Sequence, residues 1–561
     1  MITLGINRTN HHGAVALLKD NEVIFFIESE RLSNIKYDRN VFQAINEIKK
    51  YTTYIDNLIL TGCTPTQEKY ESFAIHNVYT SMVLALNKSF SDHGFMVYDY
   101  WDNHHAMHAA TAFYNSGFQN ALCIVKDGMG SDYYFNTEEF PNKYGREISS
   151  SFIIKYPAEI EKIDKKIIFP FELKNSLTNI GNNVFITNSV SEGIAFDVTA
   201  KNFGLGLMSA GKLMGMSSYG KKNEQNPPIY KDGVINKDLF KISNEDVRHI
   251  DFNLNFEDNF QSKADFAYSL QEEIQENVAE EIIKKLKQTG QKNLCLSGGF
   301  FLNCASNYYL LKKLPKGVKI YVEPISNDSG NTIGASKFLY HTLTKNKKIL
   351  KQKNIYYGPK YNYSENNLKN EIYVKDIKSK DVAKLISEKN IVAIYQGRSE
   401  AGPRALGNRS ILYDPRDPNG KNHVNIVKQR EWFRPFAGSV LKEEATKWFD
   451  LKSLNESKFM MFAVDVFKDK QSLIPAITHV DGTCRIQTVS EEDNKNFYDL
   501  IKEFYKITDV PILFNTSFNL AGNTIVETLD DALWTLKNSK INYLYLPEMS
   551  ILIKNPNDII K

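Results

Sequence analysis

Cysteine is scarce in this chain, and the few cysteines have no spacing that indicates a metal site or a disulfide framework. The 561 residues include five cysteines, none of them in a CxxC pair. They lie mostly in apolar segments, which favours reduced core residues of a cytoplasmic protein. Long apolar runs are missing too, and the chain enters a strand pattern at Ile2. Neither a membrane span nor a signal peptide is therefore expected.

An excess of one charge is also missing. Lysine and arginine number 69 against 66 aspartates and glutamates, a net charge of +3. This gives no general case for nucleic-acid binding but leaves local basic sites open. The glycine-rich stretch Gly211–Gly220 lacks the GxxxxGKS or GxxxxGKT spacing of a P-loop, so none is predicted there. A chain of this length is too long for a single core, so two or more domains are expected.

What the chain does have is a dense group of histidines. His104, His105 and His108 lie within five residues, out of eleven histidines in all. The alanine-rich segment around them predicts a helix, with Asp102 as its N-cap. One helical turn separates His104 from His108, so both can bind one metal ion. The alternative is a group of buried structural histidines, and His105 has no predicted role.

Two aspartates follow predicted strands and can complete such a site. Asp127 comes after the apolar run ALCIVK and before glycines, and Asp328 follows the strand VKIYV. The carboxyl ends of strands are where α/β sheets place ligands. Two histidines and a carboxylate leave open positions on an ion such as iron or manganese. The alternatives are a hairpin turn at Asp127 and a helix cap at Asp328.

Residues 2–28 predict three strands with tight turns. The turn Asn7–Gly13 is polar and contains His11 and His12. This opening is typical of actin-like and sugar-kinase-like ATPase folds, although many hairpins share it. Lys36 follows in a charged loop, for which a solvated surface is the simpler interpretation.

Glycines also follow the predicted strand KNLCLS. Gly298 and Gly299 lead from it into a helix that carries Asn303. This arrangement suits a nucleotide, because glycines allow close approach and helix N–H groups favour phosphate. Before it, residues 264–289 predict a long amphipathic structural helix. Residues 136–190 are polar and irregular, and they predict no more than an insertion or a flap.

A lysine-rich stretch near residues 343–355 is interpreted as a linker to a second α/β unit. That unit carries arginine, lysine, asparagine and serine in short motifs, which are typical of a site for a small dense anion such as phosphate. Scattered exposed charges are the alternative. Nucleic-acid binding is less favoured, because the basic residues form short separated clusters rather than one stripe. The motifs are EAGPRALGNRSIL at 400–412, KQREWFRPFA at 428–437, HVDGTCRIQ at 479–487 and NTSFN at 515–519.

In this order the four motifs resemble the O-carbamoyltransferase family of nodulation, cephalosporin and aminoglycoside antibiotic carbamoyltransferases. The resemblance covers nearly the whole chain apart from residues 136–190. It implies an α/β protein with an actin-like (ASKHA) domain over residues 1–345, similar to the threonylcarbamoyl-transfer proteins of tRNA modification. It also implies an α/β domain over residues 356–561 that forms carbamoyl-adenylate and is similar to the threonylcarbamoyl-AMP synthases.

The activity that the resemblance implies is ATP-dependent transfer of the carbamoyl group of carbamoyl phosphate. Carbamoyl-adenylate would form in the C-terminal domain and pass to the N-terminal domain, where a hydroxyl of a sugar, natural product or nucleoside accepts the group. One alternative is a tRNA-modifying transferase of the threonylcarbamoyl type, so a nucleic-acid acceptor stays open. The other is a non-catalytic nucleotide-binding protein with an actin-like core. The resemblance implies a homodimer as well.

The resemblance also assigns residues, position by position. A divalent metal, with Fe2+ favoured and Mg2+ or Mn2+ as alternatives, would bind His104, His108, Asp127 and Asp328. Catalysis is assigned to His11, Lys36, Lys428 and Arg434. ATP and carbamoyl phosphate would contact Arg404, Lys428, Arg434, Arg485, Asn515, Ser517 and Asn519. The nucleotide would also lie near Gly298, Gly299 and Asn303. We expect His11 to help deprotonate the acceptor hydroxyl, and the next residue is His12 where the family commonly has aspartate.

Overall fold

Two compact units make up the computed structural model. The residues described are 1–9, 11–63, 78–136, 140–243, 246–247, 249–254 and 257–558. The first unit contains Met1–Phe25 and Arg39–Gln352, and the second contains Phe26–Asp38 and Lys353–Lys561. The expected domain of residues 1–345 is therefore interrupted, because residues 26–38 group with the second unit.

Contacts inside the second unit explain why residues 26–38 belong to it. The Arg31 guanidinium donates to the Gly402 carbonyl oxygen over 2.8 Å. The Asn34 amide donates to the Asp531 carboxylate over 3.1 Å. Both partners lie far along the chain, so no local pattern in the sequence indicates that residues 26–38 belong to the second unit.

The first unit opens with a five-stranded sheet that contains the three predicted strands. Ile2–Asn7 pairs antiparallel with Ala14–Lys19 and parallel with Asn57–Thr61. Every residue of Ile2–Asn7 is buried, because this strand lies in the middle of the sheet. The strand Glu22–Glu28 lies at one edge, and from Phe26 onward it belongs to the second unit. Across the sheet the strands follow in the order Glu22–Glu28, Ala14–Lys19, Ile2–Asn7, Asn57–Thr61 and Met96–Asp99.

A second sheet positions both predicted aspartates. The strands Asn120–Lys126, Asn293–Ser297 and Lys319–Val322 run parallel side by side, so the loops after them meet at one edge of the sheet. Asp132–Phe135 pairs with Lys143–Lys155 off the main path. Across the sheet the order is Thr178–Asn179, Val184–Thr187, Glu159–Ile168, Lys143–Lys155, Asn120–Lys126, Asn293–Ser297 and Lys319–Val322.

Much of the segment 136–190, expected to be an insertion or a flap, is instead part of this second sheet; residues 137–139 lie outside the described residues. Lys143–Lys155 and Glu159–Ile168 form a long antiparallel hairpin. The segment looks polar in sequence because buried hydroxyl groups serve as hydrogen-bond partners in it. Ser150, for example, is fully buried and lies 2.8 Å from the ring of His105. A polar composition therefore does not indicate exposure here.

The helices predicted for the first unit are present, including the one expected after Gly299, which spans Cys304–Lys313. The amphipathic helix expected at 264–289 spans Phe260–Thr289, and the helix that carries the histidines spans His104–Ser116. Other helices of this unit are Phe42–Glu47, Lys88–His93, Glu192–Asn202, Ala210–Ser217 and Asn331–Thr344. Short 3-10 turns span Ile48–Lys50, Trp101–Asn103, Gly299–Leu302 and Asp328–Gly330. Small hairpins join Tyr230–Lys231 to Val234–Ile235 and Phe240–Ile242 to Ile250–Phe252.

The predicted linker near residues 343–355 is partly paired. Lys351 forms an isolated antiparallel bridge with Ser116, and the Gln352 N–H donates to the Asn115 carbonyl oxygen over 2.9 Å. These two residues therefore belong to the first unit, and the second unit resumes at Lys353.

A ten-stranded mixed sheet forms the centre of the second unit. Val392–Tyr395 runs antiparallel to Arg409–Tyr413 and parallel to Tyr543–Leu546. The strand order is Tyr373–Val374, Ile551–Lys554, Tyr543–Leu546, Val392–Tyr395, Arg409–Tyr413, Ile512–Ser517, Ala437–Leu441, Thr483–Val489, Ala463–Val466 and Phe449–Asp450. Helices span Ser29–Ser33, Ser379–Ser387, Gly420–Val427, Lys468–Gln471, Lys495–Thr508 and Leu529–Lys537, with 3-10 turns at Glu365–Leu368, Lys442–Lys447, Pro547–Met549 and Pro556–Asp558.

Both units combine helices with mixed sheets, so each is α/β. Among the residues described, no helix combines the length and the apolar character that crossing a bilayer requires.

Candidate functional site

The helix His104–Ser116, which we call the histidine helix, brings its two predicted ligands together on one buried face. His104 and His108 are one turn apart, and their ring centroids are separated by 4.7 Å. Both side chains are buried. The helical spacing predicted from the sequence is therefore confirmed.

Asp127 and Asp328 complete a four-residue group with these histidines. Nε2 of His104 lies 3.3 Å from Oδ2 of Asp127 and 3.6 Å from Oδ1 of Asp328. Nε2 of His108 lies 3.1 Å from Nε2 of His104 and 3.7 Å from Oδ1 of Asp328. All four side chains are buried, and one ligand atom from each lies within 4.8 Å of the others. The structure thus brings together the four predicted metal-binding residues, which we call the histidine–aspartate site.

The outer nitrogen of each ring has a polar neighbour. The side-chain amide of Asn331 lies 3.2 Å from Nδ1 of His104, and Oγ of Ser297 lies 3.4 Å from Nδ1 of His108. The amide oxygen of Asn331 is buried and has no partner among the residues described. With that oxygen turned to the ring, it accepts the Nδ1–H of His104, and the Nε2 lone pair is left for a cation. Metal-binding histidines are held in this way, so these residues fit a divalent metal.

Both carboxylates of the histidine–aspartate site stay ionised. Burial raises the pKa of Asp127, but His104 and His108 lower it to about 2. Burial also opposes ionisation of Asp328, yet hydrogen bonds with the two histidines hold its pKa well below the usual range. Two buried negative charges beside two imidazoles favour the binding of a divalent cation.

The predicted N-cap of the histidine helix is wrong. Asp102 lies in the 3-10 turn Trp101–Asn103, which runs directly into the helix, and the helix start has no side-chain cap. The hydroxyl of Ser131 accepts from the backbone N–H of His104 over 3.2 Å and supplies the partner that a cap would provide. The alternative role of Asp328 as a cap is not found either, because the helix Asn331–Thr344 has no side-chain cap and Asp328 faces the histidines.

His105 has the structural role that sequence reasoning left open. Its ring is buried, and Nδ1 lies 2.8 Å from Oγ of Ser150. Burial lowers the pKa of His105 to about 4 despite the nearby Glu147, so the ring is neutral near neutral pH. A Cβ on Gly130 would lie 2.7 Å from Nε2, which shows how closely the backbone packs on the ring.

The polar turn after the first strand places His11 and His12 beside Asp328. Nδ1 of His11 lies 3.8 Å from Oδ2 of Asp328 and 2.5 Å from Nδ1 of His12. The His12 backbone is held on both sides: its N–H donates to Oγ1 of Thr9 over 3.0 Å, and its carbonyl oxygen accepts from the Asn7 amide. His11 therefore lies next to the predicted metal ligands.

Gly298 and Gly299 shape the backbone next to Asp127. Gly298 has a φ of 96°, and a Cβ there would lie 2.2 Å from the Lys126 carbonyl oxygen, so the position requires glycine. The Gly299 N–H donates to Oδ1 of Asp127 over 3.2 Å. The two glycines thus border the histidine–aspartate site.

Asn303 has contacts that explain its presence without a ligand. Its side-chain oxygen accepts from the Ser306 N–H over 3.1 Å and caps the helix Cys304–Lys313. Its amide nitrogen donates to the Gln271 side chain over 2.9 Å. The role of Asn303 beside a nucleotide stays a prediction.

Cations approach one another in the second unit. Burial lowers the pKa of Lys428 well below its usual value, and Arg430, Arg434 and Lys36 lower it further. Burial, Arg434 and Arg485 act in the same way on the pKa of Arg430. We call this group the cation cluster, and it consists of Lys36, Lys428, Arg430, Arg434 and Arg485.

Two acidic side chains, Glu30 and Glu431, lie near the cation cluster. Glu431 lies 3.5 Å from Nη1 of Arg434, and burial lowers the pKa of Arg434 in spite of it. The Nε atoms of Arg430 and Arg485 are buried and have no hydrogen-bond partner within the described parts of the chain. Half-buried guanidinium groups whose Nε donors are unused are suited to a phosphate or carboxylate ligand.

The end of the strand Ile512–Ser517 and the residues up to Asn519 hold Lys428 in place. Nζ of Lys428 donates to the carbonyl oxygen of Ser517. It also donates to the carbonyl oxygen and to the side-chain oxygen of Asn519, over 2.9 Å in both cases. Asn515 is fully buried and donates to Oγ of Ser439 over 2.9 Å. The structure therefore brings Ser517 and Asn519 to Lys428, as predicted.

Of the three arginines in the segment 398–409, two are structural, although the sequence predicts an anion site in this part of the second unit. The buried Arg409 donates to the Gln396 carbonyl oxygen, and its guanidinium carbon lies 3.9 Å from the centre of the Tyr395 ring. Arg398 donates to the Gly358 carbonyl oxygen over 2.6 Å. Packing and backbone hydrogen bonds account for both.

Arg404, the third of these arginines, lies beside another predicted residue. The carbonyl oxygen of the next residue, Ala405, accepts from the amide of Asn515 over 3.4 Å. This contact places the Arg404 loop next to the strand end that carries Asn515, Ser517 and Asn519.

Three residues near these groups were not predicted. Arg430 lies between two predicted cations in the motif KQREWFRPFA, and that position was the available signal. Burial raises the pKa of Asp197, a carboxyl group near His11 and Asp127. Burial also raises the pKa of the Cys63 thiol, which lies near the histidine–aspartate site. No local motif marks Asp197 or Cys63, because both approach the site from distant elements.

Comparisons with known proteins indicate the same family over most of the chain. A family model described as the carbamoyltransferase N-terminus matches residues 48–337, and one described as the carbamoyltransferase C-terminus matches residues 383–553. Nodulation protein NolNO of Sinorhizobium fredii is 31% identical over 98% of this chain and 79% of its own length. Nodulation protein NolO of Bradyrhizobium diazoefficiens is 32% identical over 79% of this chain and 77% of its own length. Among solved structures, HypF of T. kodakarensis overlaps 62% of this chain and 49% of its own, at 14% identity and a TM-score of 0.36.

The two matched models define the class as a group-transfer enzyme with paired N- and C-terminal domains. The chain belongs to the carbamoyltransferase family. The predicted family, fold class and enzyme class are confirmed, which sets aside the non-catalytic alternative.

Proposed function

We propose that this carbamoyltransferase uses ATP and carbamoyl phosphate, forms carbamoyl-adenylate, and then carbamoylates a hydroxyl group of a small molecule. Membership of the family supports carbamoyl transfer itself. The observation that carries the finer proposal is the cation cluster of the second unit. ATP and carbamoyl phosphate are both polyanions, and half-buried guanidinium groups whose Nε donors are unused match their charge.

The proposed reaction has two stages, adenylation and carbamoyl transfer. Hydrolysis of carbamoyl phosphate gives carbamate and phosphate; a carbamate oxygen then attacks the α-phosphorus of ATP and expels pyrophosphate. In the second stage the acceptor oxygen attacks the carbamoyl carbon, the acceptor proton is released, and AMP leaves with the bonding electron pair. Adenylation is needed because a carbamoyl group reacts well only when its leaving group is good.

The residues of the second unit serve the first stage. Lys36, Lys428 and Arg434 stabilise the negative charge that develops on the phosphoryl oxygens. Binding of a polyanion favours the charged form of Lys428, whose pKa is low in its absence. Further contacts to the two phosphate-containing substrates are assigned to Arg404, Arg485, Asn515, Ser517 and Asn519.

The residues of the first unit serve the second stage. A divalent ion at the histidine–aspartate site, with iron favoured and manganese or magnesium as alternatives, supplies Lewis acidity toward a carbamoyl or phosphoryl oxygen. His11 lies beside that site and assists loss of the acceptor proton. Gly298, Gly299 and Asn303 are assigned to the nucleotide side. The acceptor is a hydroxyl of a sugar, a natural product or a nucleoside.

The proposal is tested with carbon-13-labelled carbamoyl phosphate. The protein is incubated with the label, ATP and a panel of hydroxyl compounds, and the products are followed by mass spectrometry. We expect a labelled carbamate ester and an equal amount of AMP, and we expect both to require ATP. An Arg485→Gln variant should lose most of the product, whereas Lys506→Gln, which changes an exposed cation of the same unit, should not.

Two outcomes would change the proposal. Labelled ester that forms equally well without ATP would exclude the adenylate. Label that appears in adenosine of added tRNA, and in none of the small hydroxyl compounds, would replace the proposed acceptor class.

A further inference from the structure

Asp328 faces two separate pairs of histidines, one with each carboxylate oxygen. Oδ1 lies 3.6 Å from Nε2 of His104 and 3.7 Å from Nε2 of His108. Oδ2 lies 3.8 Å from Nδ1 of His11. A buried carboxylate that presents its oxygens in two directions is placed to bridge two cations, which in two-metal sites lie about 3.5–4 Å apart.

His11 and His12 supply the ligand atoms on the second side. Their Nδ1 atoms are 2.5 Å apart and their rings are nearly perpendicular, at 88°. Two nitrogens at this distance cannot both carry a hydrogen, so at least one lone pair points between them. Together with Asp328, their ligand atoms lie within 4.8 Å of one another.

The turn that carries these histidines is fixed by hydrogen bonds. Thr9 and Asn7 hold the backbone of His12, and Asn7 in turn accepts from the Thr61 hydroxyl over 3.2 Å. Asn7 and Thr61 end two central, paired strands of the first sheet. The ligand atoms are thus supported by the sheet, as a preorganised site requires.

We propose that His11, His12 and Asp328 bind a second divalent transition-metal ion, which shares Asp328 with the ion at the histidine–aspartate site. Two imidazoles and one carboxylate suit Fe2+ or Mn2+ and leave coordination positions open. The half-buried carboxyl of Asp197 lies near His11 and Asp127, and a second cation favours its ionised form.

The second site is exposed to solvent, whereas the histidine–aspartate site is buried. The His11 side chain is 39% exposed, whereas the side chains of His104 and His108 are at most 1% exposed. A hydroxyl group can therefore reach the second site. The role of the second ion in the reaction rests on the proposed carbamoyl transfer. The acceptor hydroxyl binds to this ion and loses its proton more readily as a result. Its oxygen then attacks the carbamoyl carbon, and AMP leaves with the electron pair. His11, as a ligand of the second ion, assists loss of the acceptor proton through that ion.

Metal content tests the second site without any assay of activity. The full chain is stripped with a chelator, reloaded with Mn2+ and freed of excess ion, and manganese per chain is measured by mass spectrometry. We expect two ions in the wild type, one in His11→Ala, one in His12→Ala, and two in His249→Ala, an exposed control histidine. We also expect the electron paramagnetic resonance of the wild type to show exchange coupling between two Mn2+ ions, and that of both single variants to show isolated Mn2+.

The outcomes separate this proposal from the proposed function. One Mn2+ in the wild type, or two ions retained in both His11→Ala and His12→Ala, would overturn the second site whatever the activity. Two coupled ions in a protein that carbamoylates nothing would support the site and contradict only the function. Circular dichroism spectra matching the wild type show that loss of the second ion is not loss of the fold.

Discussion

At the level of single residues, the groups behind the ligands decide how tightly the histidine–aspartate site binds an ion. Nδ2 of Asn331 lies 3.2 Å from Nδ1 of His104, and turning the amide over brings its buried oxygen, which has no partner among the residues described, to the ring as the acceptor that fixes it. We expect Asn331→Leu to weaken Mn2+ binding about 10- to 100-fold, because the ring loses that acceptor. Titration of metal-free protein measures the change. Asn331→Asp, which keeps an acceptor, should bind at least as tightly as the wild type.

The variant Asn202→Leu is the control for Asn331→Leu. Asn202 is exposed and donates to a backbone carbonyl at the end of its helix, so Asn202→Leu should leave Mn2+ affinity unchanged. If Asn331→Leu binds Mn2+ as tightly as Asn202→Leu does, Asn331 has no role in holding the ring.

Arg430 gives the second prediction at this level. It is half-buried beside Arg434 and Arg485, and its buried Nε has no hydrogen-bond partner in the described residues. We expect Arg430→Gln to raise the KM for ATP or carbamoyl phosphate roughly 10- to 100-fold, because a hydrogen bond to a charged group contributes about 1.5–3 kcal/mol. Steady-state kinetics measures this. A KM within twofold of that of the Lys506→Gln protein for both substrates would show that Arg430 contacts neither.

At the level of elements, close packing of two helices positions the ligands. Gly334 lies on the helix Asn331–Thr344, and a Cβ there would lie 2.2 Å from Oγ1 of Thr111 and 2.4 Å from the Met107 carbonyl oxygen. Gly334→Ala should force the helix away from the histidine helix and lower the free energy of unfolding by roughly 1–3 kcal/mol. Metal affinity should fall as well, because Asp328 precedes one helix and His108 lies on the other. Denaturant unfolding and Mn2+ titration measure the two effects.

Gly211 offers a matched control. It lies inside the helix Ala210–Ser217, and nothing is within 4 Å of the position that a Cβ would take. Gly211→Ala should be neutral or raise the free energy of unfolding by up to about 1 kcal/mol, since alanine is the better helix former. Equal stability changes in the two glycine variants would contradict the packing explanation.

A buried lysine makes the stability of the same helix pair depend on pH. Lys337 donates to Asn115 of the histidine helix over 2.7 Å, and Asn115 donates to Glu323 over 3.0 Å. Burial lowers the pKa of Lys337 to about 8 despite the charge of Glu323. Between about pH 8 and the unfolded pKa of 10.5, the unfolded chain holds the extra proton. The free energy of unfolding should therefore rise with pH across this window, by at most about 3 kcal/mol.

The Lys337→Met variant isolates this effect, because other titrating groups cancel in the difference from the wild type. We expect the wild type to gain stability relative to the variant as the pH rises from about 8 to about 10.5, with no relative change below that window. Denaturant unfolding at several pH values measures the difference. Parallel curves for the two proteins would show that Lys337 is not the group responsible.

Elements with a local pattern were predictable from the sequence, and elements without one were not. The spacing of His104 and His108 predicts a shared face, and apolar runs predict the strands before Asp127 and Asp328. The cap at Asp102 was wrong because Ser131, from a distant turn, supplies the partner. The hairpin within residues 136–190 was missed because its buried polar groups hide the alternation of a strand.

At the level of the whole molecule, the division of the chain was only partly predictable. The composition change near residue 350 indicates two units, and the longer segment of the second begins at Lys353. The grouping of residues 26–38 with the second unit depends on contacts such as that of Arg31 with Gly402, which join positions far apart in sequence. For the same reason Lys36 lies in the unit that contains Lys428, a placement that its local sequence does not reveal.

The histidine–aspartate site and the cation cluster differ in the charge of their side chains, and the assignment of the two proposed reaction stages to the two units depends on this difference. The histidine–aspartate site of the first unit holds carboxylates beside imidazoles, which suits a metal ion, and the cation cluster of the second unit holds lysines and arginines, which suits polyanions. The central claim is that the cations of the second unit support formation of carbamoyl-adenylate. This step requires no acceptor and can be measured before the acceptor is known.

Exchange of labelled pyrophosphate into ATP tests that claim most directly, because only a reversible adenylation returns the label to ATP. We predict exchange that requires carbamoyl phosphate, proceeds without any hydroxyl acceptor, and is lost in Arg485→Gln but retained in Lys506→Gln. No exchange by the folded, metal-loaded wild type with both substrates present, or equal exchange without carbamoyl phosphate, would contradict the account.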